Sequence, residues 1–521
     1  MIYNIPHTVE HSASLYPNKE AFRYGKETLT FSELDLKSNQ LANYLVDSGV
    51  VKGDRVAIYM HRCLETAIAM YGILKSGAAY VPLDSSAPHK RTRFLIDDCG
   101  IEFMLTTEKQ KKKLNKLYEE STPLKKVIGI AEHQTISCVD WGTIFSAPLE
   151  NYRKTEILGQ DLAYIMYTSG STGAPKGIMH THNSGLAYAK LSANLYGLHS
   201  DDRLANHAPL HFDVSTFAYF GGPLVGATTT IVSDAHTKMP VSLAALIAAE
   251  KISVWYSVPL ALSQLVQTET LNDYDFSSLR WVLFAGEVFT IKYLKELVNC
   301  WPHANYSNIY GPAETNQCTN YNFDASTVIG DYLPIGKVWE NTEYKIISSE
   351  DKEVPVGEAG QLAVRSATMM LGYWNNETLT QNSFYKKKIA DNLTHVFYRT
   401  GDLVKKDKNG DLLFLGRADR QVKIRGYRIE IDEVEAVLGQ HEKVKEAAIC
   451  VIENSKGEKQ LLAAVLLKIG VHIEINELMG YCRSQLPVYA LPSEISILDD
   501  FPRTGSGKID LTKIKELLSA L

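Results

Sequence analysis

Short apolar runs alternate with longer stretches of helical spacing through the first two-thirds of the chain. Phe31–Ser48 (FSELDLKSNQLANYLVDS) repeats its apolar residues at helical intervals, which predicts a helix with Thr30 or Ser32 as N-cap. Arg55–Met60 (RVAIYM) reads as a buried strand, Cys63–Lys75 as a helix and Ala79–Pro82 as a strand. The rhythm recurs around Glu102–Thr106, Ser253–Ser257 and Trp281–Ala285. Strands of this kind separated by helices predict parallel sheets covered by helices. Past about Thr342 the pattern changes. Tyr344–Ser348, Gly360–Val364 and Asp411–Leu415 are short strands between Gly and Asp turns, which predicts a smaller β-rich unit. Glu430–Gln440 then opens a compact β/α pattern, with strands at Glu446–Ile452 and Gln460–Leu467 and a helix at Ile473–Gln485. A boundary falls near Gly416–Arg420, dividing the chain into 1–418 and 419–521.

Composition narrows the classes. A chain of 521 residues, 45% hydrophobic and 22% charged, is globular and large enough for several domains. A net charge of −6 gives no global field for nucleic acid, and the basic run Lys109–Lys116 reads as a solvated helix face. No apolar run reaches membrane-spanning length, so no membrane partner is expected. The seven cysteines include no CxxC pair, which disfavours a disulfide framework or zinc site and fits a reducing compartment. The N-terminus, MIYNIPHTVEHSA, lacks the basic and apolar regions of a signal peptide, so a cytoplasmic location is expected.

The densest chemistry lies in Tyr164–Gly177 (YIMYTSGSTGAPKG). An apolar strand runs into Thr168, Ser169, Gly170, Ser171, Thr172 and Gly173, followed by Lys176. Glycines permit close backbone approach, hydroxyls and N–H groups donate, and the lysine adds positive charge, which suits a nucleotide triphosphate. The spacing is not that of a Walker A loop, and a plain flexible Gly/Ser loop is the competing reading.

With this loop the chain resembles the adenylate-forming superfamily, which includes acyl-CoA synthetases, luciferases and the adenylation domains of nonribosomal peptide synthesis. Further blocks occur in that family's order: LTFSEL (Leu29–Leu34), LKSGAAYVPLD (Leu74–Asp84), HFDVS (His211–Ser215), YGPAET (Tyr310–Thr315), GYW (Gly372–Trp374), YRTGDL (Tyr398–Leu403), GRADRQVKIRGYRIE (Gly416–Glu430) and PRTGSGKID (Pro502–Asp510). The resemblance implies an α/β fold: a large N-terminal domain of helix-covered β-sheets with a small β-barrel-like subdomain, and a small mobile C-terminal α+β domain. It implies attack of a carboxylate on the α-phosphate of ATP, with Mg²⁺ as cofactor, and transfer of the acyl group to a thiol.

Residue roles follow from the same blocks. Lys176 and Lys508 are the expected catalytic lysines, Lys508 bridging the attacking carboxylate and the α-phosphate. Asn308, Tyr310, Gly311 and Thr315 are expected to form the nucleotide floor, Asp402 to hold the ribose, Arg417 to approach ribose and phosphate, and Glu314 to help hold Mg²⁺. Ala313 departs from the family, which mostly carries Thr there; Thr315 is the other hydroxyl at hand. Asp419 occupies the hinge position, with an ordinary turn as the alternative. Lys423–Gly426 is expected to enter the site for thioester formation.

Asp213 is where amino-acid-activating members bind the substrate ammonium; a helix N-cap also fits Asp-Val-Ser-Thr-Phe. The matching pocket is Val214, Phe217, Ser257, Leu283, Ala285, Ile309, Gln317 and Cys318, mostly apolar or small and without charge. It resembles that of proline-activating enzymes. Alanine, as in D-alanine ligases, and other small amino acids also fit. Only eleven residues follow Asp510 and no condensation motif occurs, so the expected thiol belongs to a phosphopantetheinylated carrier protein acting in trans. A small-acid acyl-CoA synthetase and a nucleotide-binding protein without catalysis are the other classes.

Overall fold

The computed structural model describes residues 1–117, 122–148, 154–170, 174–454, 458–503 and 509–520. The expected alternation is present. Phe31–Asp47 is a helix closed by a capping box, in which the Thr30 hydroxyl accepts from the Glu33 amide and the Glu33 side chain reaches back to the Thr30 N–H. Strands occupy Arg55–Ile58, Ala79–Pro82, Phe103–Leu105, Val254–Ser257 and Trp281–Ala285. The lysine-rich run lies on the helix Lys111–Leu117, which buries only Leu114 and Leu117.

Two large sheets form the N-terminal part. One has nine strands and is parallel through its centre, from Glu20–Tyr24 across Thr228–Ile231, Arg203–Asn206, Val254–Ser257 and Trp281–Ala285 to Asn305–Tyr310. Antiparallel strands, including Thr319–Phe323, close its edges. The other has eight strands, with the hairpin Leu162–Thr168/Lys176–Thr181 beside the parallel run that contains Ala79–Pro82 and Arg55–Ile58. Apolar side chains such as Phe22, Phe31, Leu41, Tyr71, Tyr164 and Phe220 fill one core against helices.

The expected β-rich unit is a five-stranded antiparallel sheet, built on Thr342–Ile347, Gly360–Ser366, Phe384–Ala390, Leu393–Lys406 and Leu412–Arg417. Beyond it come the hairpin Gln421–Ile424/Tyr427–Glu430 and a three-stranded sheet, Val444–Glu453, Lys459–Leu467 and Glu494–Leu498. The helices Ile431–Gly439, Ile475–Gln485 and Leu511–Ala520 accompany that sheet. The C-terminal lobe has its own apolar core, including Val434, Leu438, Ile449, Val465 and Leu478. Among the described residues no helix is long and apolar enough to cross a membrane.

Candidate active site

The glycine-rich loop leaves the strand Leu162–Thr168 and returns along Lys176–Thr181. Ser171, Thr172 and Gly173 lie outside the described residues. Gly170 is fitted to its place, because a Cβ there would meet the Ala174 carbonyl oxygen at 2.1 Å. The Thr168 hydroxyl is buried with no partner among the described residues. The Ser169 hydroxyl donates to the Arg428 carbonyl at 2.9 Å. Of the two described hydroxyls here, that of Thr168 has no protein partner among the described residues and that of Ser169 is taken by the C-terminal lobe.

Lys176 points at Glu314. Its Nζ lies 3.5 Å from Oε1, with the Tyr373 ring centroid 4.8 Å away. Burial, and then the nearby Arg428, push the Lys176 ammonium down to about 8. Glu314 is fully buried in the short 3-10 turn Ala313–Thr315. Arg428 Nη1 donates to its two oxygens at 2.9 and 3.0 Å, and the Tyr373 hydroxyl donates to Oε1 at 2.8 Å. Burial opposes ionisation, yet Arg428, Lys176 and Tyr373 together hold this carboxyl well below the usual carboxylate range. Thr315 is also buried, but its hydroxyl donates to the Pro312 carbonyl at 3.2 Å. The Ala313 carbonyl accepts from His180 Nε2 at 2.9 Å.

A second cluster lies beside Tyr310, the last residue of the strand Asn305–Tyr310, next to Gly311. The Tyr310 hydroxyl donates to Asp402 Oδ2, while Arg417 Nη1 holds Asp402 Oδ1 at 2.9 Å. Asp402 is buried within the strand Leu393–Lys406, directly across from Arg417. Arg417 also grips Asp419 through two bonds of 2.6 Å, and Asp419 Oδ1 accepts from the Gln421 amide at 3.2 Å. Asn308 Nδ2 donates to the Pro334 carbonyl at 2.7 Å.

Five of the eight expected pocket residues share one apolar cluster. Phe217, Leu283, Ala285 and Ile309 are buried together, with Val214 at the edge. Cys318 is fully buried, and the Ser257 hydroxyl accepts from the Trp255 indole at 2.8 Å. Gln317 donates to the Tyr256 hydroxyl. Tyr256 packs edge-on to Phe217 at 5.4 Å, and Tyr188 stacks on Trp339 at 5.9 Å. Those three aromatics are a wall that the motif reading does not name. Asp213 stands just before the helix Ser215–Val225, whose N-cap position is Val214 and carries no side-chain cap. Burial pushes the Asp213 carboxyl up to about 6, opposed by backbone N–H groups and by Lys423.

The C-terminal lobe closes over these groups. Lys423 is within electrostatic reach of Asp402 and Asp213, and burial lowers its pKa. Gly426 N–H donates to Glu287, whose carboxyl burial raises to about 7. Tyr427 packs edge-on to Phe212 at 5.2 Å and stacks on Tyr489 at 4.1 Å. Arg91 donates to the buried Glu433 at 2.8 Å. Arg428, Glu287 and Tyr373 are the functional candidates that sequence reasoning left unassigned, although GYRIE and GYW contain two of them. Lys508 lies outside the described residues.

Among the described residues no three His, Cys, Asp or Glu side chains gather as a metal cluster. One hard carboxylate, Glu314, suits Mg²⁺ that takes its remaining ligands from phosphate and water.

Comparisons with known proteins show the family. Residues 9–374 match the AMP-binding enzyme family, and residues 433–508 match the AMP-binding enzyme C-terminal domain. The L-proline–[L-prolyl-carrier protein] ligase of Pseudomonas fluorescens is 31% identical over 503 residues, 96% of each protein. Gramicidin S synthase 2 of Aneurinibacillus migulanus is 34% identical over 510 residues, which span 96% of this chain and 11% of that much longer protein. Among solved structures, a Bacillus subtilis o-succinylbenzoate CoA synthetase superposes with a TM-score of 0.83 at 25% identity, covering 98% of both chains.

Proposed function

The chain belongs to the AMP-binding enzyme family and is an adenylate-forming ligase; from that premise we propose that it activates a small apolar amino acid, L-proline first, as the aminoacyl adenylate and passes it to the phosphopantetheine thiol of a separate carrier protein. Ligases of this family use ATP, typically with Mg²⁺. The ion supplies positive charge against the phosphates, and Glu314 is the residue that would hold it.

The observation that carries the reading is Asp213, a half-buried carboxylate with no ion pair among the described residues, beside an apolar cluster. Such a group calls for a cationic partner, and a substrate ammonium supplies one. Phe217 and Leu283 leave little volume, which favours a compact side chain. Proline meets both demands, because its secondary ammonium keeps two donors and its ring is small. The 31% identity to a proline–carrier protein ligase supports the same choice. The carboxylate substrate attacks the α-phosphate, pyrophosphate leaves, and the thiol sulfur then displaces AMP from the acyl carbon.

The direct test is amino-acid-dependent ATP–pyrophosphate exchange across all the common amino acids and D-alanine. Proline is expected to give the highest kcat/KM, with loading of a phosphopantetheinylated carrier and no stimulation by coenzyme A. A higher value for another amino acid would displace proline, and dependence on coenzyme A would displace the carrier protein.

The lobe orientation seen here, with Lys423–Gly426 against the site, is the one suited to thioester formation. Gly426 has φ +78°, and a Cβ there would meet Val258 Cγ1 at 2.3 Å. A left-handed backbone costs a non-glycine residue about 1–2 kcal/mol. Gly426→Ala should therefore slow carrier loading roughly tenfold relative to pyrophosphate exchange. Equal slowing of both half-reactions would deny the loop a separate role.

A further inference from the structure

Three of the expected pocket residues carry polar side chains, and two of these are engaged within the protein. The Ser257 hydroxyl accepts from the Trp255 indole at 2.8 Å and donates to the Val258 carbonyl at 3.2 Å. The Cys318 thiol donates to the Tyr310 carbonyl at 3.7 Å. Gln317 differs from both. Its Nε2 donates to the Tyr256 hydroxyl, while its Oε1 is buried with no partner among the described residues. A buried carbonyl oxygen without a donor is costly, so this atom calls for a donor that the protein does not supply. Gln317 also lies between the two halves of the site. A Cβ on Gly311, beside Tyr310, would meet the Gln317 Cα at 2.5 Å. On the other side Tyr256 packs edge-on to Phe217 at 5.4 Å, and the charge of Asp213 acts on the Tyr256 hydroxyl. The residue before Gln317, Asn316, is held at φ +54° and ψ −83°, a strained backbone that persists only where its surroundings enforce it.

We propose that Gln317 Oε1 is the second acceptor for the substrate ammonium, beside Asp213, and that Tyr256 is the positioning residue that keeps the amide turned that way. This deepens the reading of Asp213 as the ammonium anchor and rests on it. A secondary ammonium has two N–H groups, and Asp213 and Gln317 offer a side-chain acceptor for each. A primary ammonium brings a third N–H. Val214, Phe217, Leu283, Ala285 and Ile309 have no acceptor in their side chains, and Ser257 and Cys318 are engaged as described. Tyr188 stacks on Trp339, and Ser192 bears on its hydroxyl. A third N–H is therefore left against apolar groups, at the cost of its lost hydration. The site thus selects by nitrogen as well as by volume. Small N-alkylated amino acids, with the nitrogen in a ring or carrying a methyl group, are favoured over primary amino acids of the same size. Tyr256 contributes through Gln317 alone, because its hydroxyl holds the Nε2 end of the amide and so leaves the Oε1 end for the ligand.

The test is ATP–pyrophosphate exchange by the full chain with Mg²⁺ and a set of amino acids. Gln317→Met keeps the length of the side chain and removes its oxygen. It is expected to lower kcat/KM for L-proline by roughly 10- to 100-fold, chiefly by raising KM. Gln317→Glu keeps an acceptor at the same place and should lose less than Gln317→Met. A role in packing alone predicts the reverse order, because methionine is the better buried side chain. Tyr256→Phe should fall between the wild type and Gln317→Met. In the wild type, N-methyl-L-alanine should exceed its isomer L-2-aminobutyrate in kcat/KM by about tenfold or more. Gln317→Met equal to the wild type, or Gln317→Glu worse than Gln317→Met, would overturn the proposal while leaving Asp213 in its role. A preference for L-2-aminobutyrate over N-methyl-L-alanine would overturn selection by nitrogen. No exchange by the wild type with any amino acid would overturn the reading of Asp213 and this proposal together. The isomer comparison needs no variant, so poor folding of Gln317→Met would not shield the idea.

Discussion

Asp213→Ala is expected to lower proline-dependent pyrophosphate exchange by roughly 30- to 5,000-fold, the equivalent of about 2–5 kcal/mol for breaking one buried charge pair. The carboxylate is held just ahead of the helix Ser215–Val225, beside Tyr188 and Tyr256, where water is scarce. Lys423, whose charge acts on it, belongs to the C-terminal lobe and forms no ion pair with it among the described residues. The same burial sets a pH dependence. The ionised form grips an ammonium, and burial raises the carboxyl to about 6. The KM for the amino acid should therefore climb as pH falls from 7 to 5, and Asp213→Asn should abolish that dependence along with most of the activity. Stability moves the other way. A folded-state pKa above the ordinary carboxyl value means that Asp213 favours folding below about pH 4 and that this support is lost as pH rises through 6. The free protein at pH 8 should thus gain in melting temperature on Asp213→Asn, as read by calorimetry. An exchange rate unaltered by Asp213→Ala would remove the residue from substrate binding.

Lys508→Ala should reduce adenylate formation by about 100- to 1,000-fold, the usual cost of deleting one group aimed at charge developing in a transition state. The described residues that flank Lys508 are well anchored. Arg503 pairs with Ile509 across it, and the helix Leu511–Ala520 buries Ile514 and Leu518 against Ala448 and Cys450. These flanks therefore travel with the C-terminal sheet as a body. Transfer from chemically prepared prolyl adenylate to carrier protein should survive the substitution, if Lys423–Gly426 serves that step as proposed. Loss of both half-reactions would argue for damage to the fold, and retention of exchange would exclude Lys508 from the chemistry.

Where local pattern and burial agree, the elements are legible in the sequence. Trp281–Ala285 and Ala79–Pro82 are strands at the residues their apolar runs mark, and Thr30 caps its helix as its hydroxyl and Glu33 require. The strand Leu393–Lys406 is a different case. It contains Thr400, Gly401 and Asp402, residues that favour turns, and it is held by partners distant in sequence. The Thr400 hydroxyl donates to the Leu362 carbonyl at 2.9 Å, and Asp402 is fixed by Tyr310 and Arg417. Tertiary pairing overrides propensity there. The site divides along the same line. Lys176, Glu314 and Asp402 stand out as chemistry-bearing residues in dense motifs. Arg428, the partner of Glu314, does not, because the contact depends on how two lobes meet, and no local spacing encodes that. Nor does local spacing show that Asn308 and Thr315 each donate to a neighbouring carbonyl, of Pro334 and Pro312.

Arg417 straddles a joint. One arm of its guanidinium steadies Asp402 inside the antiparallel sheet, and the other two nitrogens clasp Asp419 where the chain departs for the C-terminal lobe. If Asp402 takes up the ribose hydroxyls as its motif leads one to expect, that contact would alter one end of this clasp and change how tightly the other end is moored. Nucleotide would then be felt where the chain leaves the sheet through three adjoining side chains.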